Sequence, residues 1–163
     1  MSLSDRRTFL SILLAVPLAA CGFTPVYGPG GVGQQLRNQI TVTAPDTSNT
    51  FDLVARLEER LGRPTSTRYL LDYDLSTSES DLAISDTDDV TRININGVLT
   101  FTITEVSTQS VLLDETVRTF AAYSTTGSTV ATAAAERHAE SRLMVALADQ
   151  VVSRLYASAG RWP

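Results

Sequence analysis

The chain has 163 residues, of which 43% are hydrophobic and 19% charged, with a formal net charge of −5. That balance suits one globular domain. An acidic chain whose basic residues are all arginine, with no basic run, is unsuited to gripping nucleic-acid phosphates. The single cysteine rules out an internal disulfide framework.

In chain order, the first segment is an export leader. Arg6 and Arg7 form a positive head, and residues 9–20 are apolar apart from Ser11. Twelve helical residues rise ~18 Å, short of the ~30 Å needed to cross a bilayer's hydrocarbon layer. The segment therefore reads as a removable signal peptide over residues 1–20. It ends in Leu18-Ala19-Ala20-Cys21, which resembles the lipobox of bacterial lipoproteins. That resemblance implies cleavage before Cys21 and acylation of its sulfur, with several chains giving stable membrane attachment. Asp5-Arg6-Arg7-Thr8-Phe9-Leu10 also resembles a twin-arginine export signal, although paired arginines occur in ordinary leaders too. Gly22 follows the cysteine in place of a retention aspartate, which by the same resemblance favours the outer membrane.

Residues 22–33 are rich in Gly and Pro and are expected to form a linker or an adherent loop. Within them, residues 28–33 match G-x-G-x-x-G formally. A dinucleotide site needs that turn to follow a strand and open a helix, so a linker is the better reading. Residues 40–44 alternate apolar and Thr and predict a short strand. Ser48 or Asn49 can cap a helix whose apolar positions are Phe51, Val54, Leu57 and Leu61, stopped by Gly62 with Pro64 beyond. Tyr69, Leu71, Tyr73 and Leu75 share one strand parity. The clearest strand carries Ile93, Ile95, Gly97, Leu99, Phe101 and Ile103 on one face and Arg92, Asn94, Asn96, Thr100, Thr102 and Thr104 on the other. A third run, residues 111–123, changes apolar parity between Val117 and Phe120, as a bulge or a departing strand would. Residues 128–157 contain neither Pro nor Gly, and Met144, Leu147, Val151 and Leu155 recur at helical spacing.

The order β-α-β-β-β-α predicts an α+β fold, with two helices packed on one face of a small, mainly antiparallel four-stranded sheet. The expected organisation is a leader at 1–20, a lipid anchor and Gly/Pro-rich linker at 21–38, and an α+β domain at 39–163.

Signals for chemistry are sparse. His138 is the only histidine and falls on the last helix with no partner motif, so it reads as a surface residue. One His and a lipid-modified Cys make no metal site, and nothing points to a cofactor or an enzyme. Between Asp72 and Asp89 every charged residue is acidic, but a calcium loop begun at Asp86 would need Gly and Glu where Thr91 and Gly97 stand. A solvated hairpin tip is the expectation. Arg92 and Arg118 both lie in strand patterns. If their strands pair, they could sit close together on an open sheet face as a clamp for phosphate or carboxylate. The competing reading is cross-strand pairing with Asp72, Asp74 or Asp114.

With the anchor, Cys21-Gly22-Phe23-Thr24-Pro25-Val26-Tyr27-Gly28 and the β-α-β-β-β-α order, the chain resembles the LptE family of lipopolysaccharide-assembly lipoproteins, in its alphaproteobacterial form. The specific motif is confined to the first eight mature residues; the rest is a match of topology. The resemblance implies an outer-membrane lipoprotein whose body plugs the β-barrel of LptD, assists its assembly and binds lipopolysaccharide. Arg92 and Arg118 are the candidate binding residues, chosen from strand parity. An acidic chain without lysine departs from what a lipopolysaccharide binder would be expected to show. The alternative is an accessory or lipid-binding lipoprotein of another envelope transport system, which would need an apolar cleft for an acyl chain.

Overall fold

The computed structural model of the chain describes residues 26, 28–84 and 90–162. Four strands form one sheet in the order β1-β2-β3-β4: β1 Ile40–Val42, β2 Tyr69–Ile84, β3 Val90–Glu105 and β4 Ser110–Ser124. The helices are α1 Val32–Leu36, α2 Ser48–Leu61 and α3 Thr129–Ser158. β1 runs parallel to β2, while β2–β3 and β3–β4 are antiparallel. The α+β class and the mainly antiparallel sheet are those the sequence predicts. The leader, Cys21 and residues 86–89 lie outside the described residues.

One face of the sheet carries the core. Leu71, Ile95, Leu99, Phe101, Ile103 and Val117 project from it against Leu53, Leu57 and Leu61 of α2 and the long stripe of α3. That stripe runs Leu143, Met144, Leu147, Ala148, Val151, Val152 and Leu155, all fully buried at helical spacing. Burying each large side chain contributes roughly 1.5–3 kcal/mol, so these helices are held by the sheet more than by their own propensity. At mid-strand, Gly97 makes the close approach possible. A Cβ there would stand 2.9 Å from Leu147 Cδ1 and 3.2 Å from Leu143 Cδ1. The two helices are also joined by charge. Arg56 Nε donates to Asp149 Oδ1 at 3.0 Å, and Arg60 Nη1 donates to the same oxygen at 2.7 Å. Asp149 first, and Glu59 second, hold the Arg56 guanidinium's pKa above its ordinary value.

Several local expectations change. α2 is capped by Thr47 and not by Ser48 or Asn49: Thr47 Oγ1 accepts from Thr50 N at 3.3 Å, and Thr50 Oγ1 accepts from Thr47 N at 2.9 Å. Thr50, Leu53, Val54, Leu57 and Leu61 face inward, and Phe51 is left 63% exposed. Gly62 does stop the helix, at φ +78° with its N–H on Glu58 O. In β4 the register runs unbroken past Phe120, so the parity change marks neither a bulge nor a departing strand; the shift lies between Ile103 and Thr104. Phe120 lies opposite Asn96 on the face away from the helices and is 63% exposed. β2 extends to Ile84, well beyond the apolar positions that marked it. The Gly/Pro-rich segment adheres to the body at its end: α1 places Leu36 in the core with Val32 packed against it, so the folded unit begins before residue 39.

Candidate functional site

The helix-free face of the sheet is the surface on which Arg92 and Arg118 were expected to meet. Across β2, β3 and β4 its rows are Asp72–Thr102–Asp114, Asp74–Thr100–Thr116, Ser76–Val98–Arg118, Ser78–Asn96–Phe120 and Ser80–Asn94–Ala122. Threonine, serine and asparagine fill it because period-two alternation sends the apolar residues to the other side. Thr100 Oγ1 and Thr116 Oγ1 share a hydrogen bond of 3.0 Å, and Asn96 Nδ2 donates to Ser80 Oγ at 3.1 Å.

Both arginines lie on this face and both are exposed. They do not meet. Arg118 is opposite Val98 and Arg92 is opposite Ser124, which sets them six positions apart along β3, about 20 Å at ~3.4 Å per residue. One phosphate cannot span that distance. Nor does either arginine pair with a described carboxylate; Asp72 Oδ1 instead accepts from Tyr73 N at 3.1 Å. The face therefore offers two separate cations. Arg92 lines a hollow with Thr91, Ala122, Tyr123, Ser124 and Thr126, while Arg118 stands next to the exposed ring of Phe120. Sequence reasoning missed Phe120 as a surface residue; its break in parity was the signal.

The two margins of the sheet differ. Side chains of α3 cover the free edge of β4: Arg142 Nη2 donates to Ala122 O at 2.8 Å and Gln150 Nε2 donates to Arg118 O at 3.3 Å. Such bonds satisfy carbonyls that would otherwise template another strand. On the other margin, β1 pairs only Tyr69, Leu70 and Leu71 of β2.

On the core side, Tyr123 OH donates to Glu79 Oε1 at 3.3 Å. Burial pushes this phenol above its ordinary value, and Glu79, Glu136 and Glu140 add to the shift. His138 is exposed on α3. Among the described residues, no group of three or more His, Cys, Asp or Glu is placed to hold a metal ion.

The comparisons with known proteins agree with this architecture. A family model described as LptE, lipopolysaccharide-assembly, matches residues 25–155. A lipoprotein structure from Caulobacter crescentus superposes with a TM-score of 0.65 at 17% identity, covering 82% of this chain and 98% of its own. Rare lipoprotein B from Shewanella oneidensis gives 0.60 at 13% identity, covering 76% and 98%. A minor lipoprotein from Acinetobacter baumannii gives 0.56 at 17%, covering 74% and 93%. At these identities the structures establish the fold alone. No curated protein matches the chain at the sequence level.

Proposed function

The chain belongs to the LptE family of lipopolysaccharide-assembly lipoproteins, and from that premise we propose that it is an outer-membrane lipoprotein, anchored through Cys21, that plugs an LptD-type β-barrel and assists its assembly. Its work is done by contact and not by catalysis. The observation that supports the plug reading is the helix-free face. Three strands, β2, β3 and β4, present Ser, Thr, Asn, Asp and Arg to the outside, and a barrel lumen is itself polar and wet. Contact with the lumen wall would order these exposed hydroxyls and amides, the charges of Asp72, Asp74, Asp114, Arg92 and Arg118 would need water or opposite charge from the wall, and Phe120 gives the face one apolar anchor of the type that dominates interfaces.

Lipopolysaccharide binding, in this reading, uses Arg92 and Arg118 as two independent phosphate contacts. At ~20 Å apart their single replacements should weaken binding additively in free energy. The test has three parts. Mass spectrometry of cell-derived protein should find a diacylglyceryl group on the Cys21 sulfur and no leader. Gentle detergent extraction of a tagged chain should bring a large β-barrel protein with it; a chain recovered alone ends the plug reading. Arg92→Ala, Arg118→Ala and the double variant are then titrated with lipopolysaccharide. Unchanged binding by the double variant removes both residues as a site.

A further inference from the structure

We propose that the anchor-side end of the body is a membrane-docking surface, shaped to rest on the anionic phospholipid headgroups of the leaflet that holds the anchor. The proposal rests on the Cys21 reading for its place in the cell, though not for its chemistry.

Several elements converge at this end. Asn38 N donates to Leu61 O at 2.9 Å, Arg68 N to Gln39 O at 3.0 Å, and Val106 N to Arg68 O at 2.9 Å. The end of α3 arrives there as well, since the rings of Tyr69 and Trp162 lie 5.4 Å apart. Gly33 N donates to Val26 O at 2.9 Å, so the chain leaves for Cys21 from this same end. Positions 21 and 26 are five residue steps apart, and a fully extended tether of that length reaches at most ~17 Å. Whatever the body does, this end stays near the headgroups, including when the rest of it enters a barrel.

The chemistry suits that position. Of the eight large hydrophobic side chains exposed on the described surface, Val26, Leu70, Val106 and Val111 belong to this end. Leu70 and Val111 occupy one row of the sheet, both opposite Thr104. Arg37, Arg63, Arg68 and Arg161 belong to the same end. Glu58 is held by Arg63 at 3.4 Å and Glu105 by Arg68 at 3.3 Å, while Asp72 and Asp114 stand one row further along the helix-free face. Arg37 and Arg161 have no ion pair with a described carboxylate. Arg37 lies against the turn at Gly62, and Arg161 precedes Trp162. Trp162 is half-buried, packed against the core with its Nε1 turned inward and without an acceptor among the described residues. The exposed part of its ring is apolar surface of the kind tryptophan places at a bilayer interface. Exposed valines, the guanidinium groups of Arg37 and Arg161 and a half-exposed tryptophan ring together fit a headgroup layer of negative charge.

Trp162 is the only tryptophan in the chain, so its fluorescence reports on this end alone. The described body closes one core on itself, so the material is the chain from position 21 carrying Cys21→Ser, with its fold checked by circular dichroism. Lacking acyl chains, it tests the surface independently of the anchor, whose own test is the mass of cell-derived protein. Vesicles of equal parts phosphatidylglycerol and phosphatidylcholine should blue-shift Trp162 and shield it from acrylamide, and phosphatidylcholine vesicles should do so far less. At 1 M salt, where the Debye length falls to about 3 Å, the anionic preference should vanish. The double variant Arg37→Gln, Arg161→Gln should lower partitioning about thirtyfold, from roughly 1 kcal/mol per arginine at an anionic surface. Val106→Asp, on an exposed side chain, is a second variant that should weaken partitioning with the fold intact. The proposal is overturned by no shift on anionic vesicles, by an equal shift on neutral ones, or by variants that partition as the parent does. An equal shift with inorganic phosphate alone would overturn it too, since that would mark a free-anion pocket.

Discussion

At the scale of single residues, two positions carry consequences that their identity alone does not announce. Gly97 sits in the strand with the strongest alternation, on the parity of Ile95 and Leu99, where a β-branched residue would ordinarily be favoured. It is glycine because α3 comes too close for a side chain. Gly97→Val should therefore destabilise the fold by about 1–3 kcal/mol through overpacking against Leu143 and Leu147, read as a lower urea midpoint; an unchanged midpoint would mean that α3 can back away freely. Tyr123 carries the other. Its phenol has an ordinary value of 10.0 and is pushed above it by burial first and by Glu79 next. The folded state thus holds the proton more tightly than the unfolded chain does. The contribution to stability is full below pH 10 and is lost as pH rises through the folded value. Tyr123→Phe should flatten the fall in urea midpoint above pH 10 and leave its slope at neutral pH alone.

Among the elements, helix α2 shows a start signal and an apolar stripe being set separately. Thr47 and Thr50 close a reciprocal cap. The inward stripe keeps Val54, Leu57 and Leu61 as the spacing predicts, with Leu53 in the core and Phe51 outside it. Thr47→Ala should cost about 1 kcal/mol, typical of a lost N-cap, measurable by chemical denaturation. Helix α3 does more than cover the core. Its buried stripe begins only at Ala139, and its Arg142 and Gln150 reach past the sheet to the carbonyls of β4. Truncating the stripe by Leu147→Ala should cost about 2–5 kcal/mol, the transfer loss plus the cavity left behind. β2 is a contrasting case. Residues 76–81 are all polar and include Glu79 and Asp81, types depleted in strands, and they are ordered as strand by pairing with β3, which continues as far as Ile84. Composition alone made it look like a hairpin tip.

Across the whole molecule, the two faces of the sheet divide the labour. One is covered by helices and supplies stability; the other is polar, open and free to meet a partner. On this division, Phe120→Asp should leave the unfolding free energy from urea titration within about 0.5 kcal/mol of the parent, as exposed substitutions do, while weakening co-purification with a barrel. Equal recovery of the barrel with this variant would take Phe120 out of the contact surface. The molecule also has a polarity along the strands, with Arg37, Arg68, Arg161, Val26, Val106, Val111 and Trp162 at one end and the long β2–β3 pairing reaching away from it.

The class of the main elements, the order of the four strands and two long helices, and the two faces of the central strand are legible in the linear chain, because side-chain period is a local property written into every few residues; the short α1 has too few residues to show one. The sequence also supplied the lipobox and the family likeness, which are linear motifs. Only the tertiary structure decided which residues of neighbouring strands stand together. Arg92 and Arg118 share a parity, and parity gives a face; the distance between them depends on register, set by the β3–β4 turn and by the packing of α3. The same holds for the anchor-side surface, whose members come from positions 26 to 162 and are joined only where α2, the strands and α3 end together. No local pattern marks such a surface, since what assembles it is the burial of apolar side chains far apart in the chain.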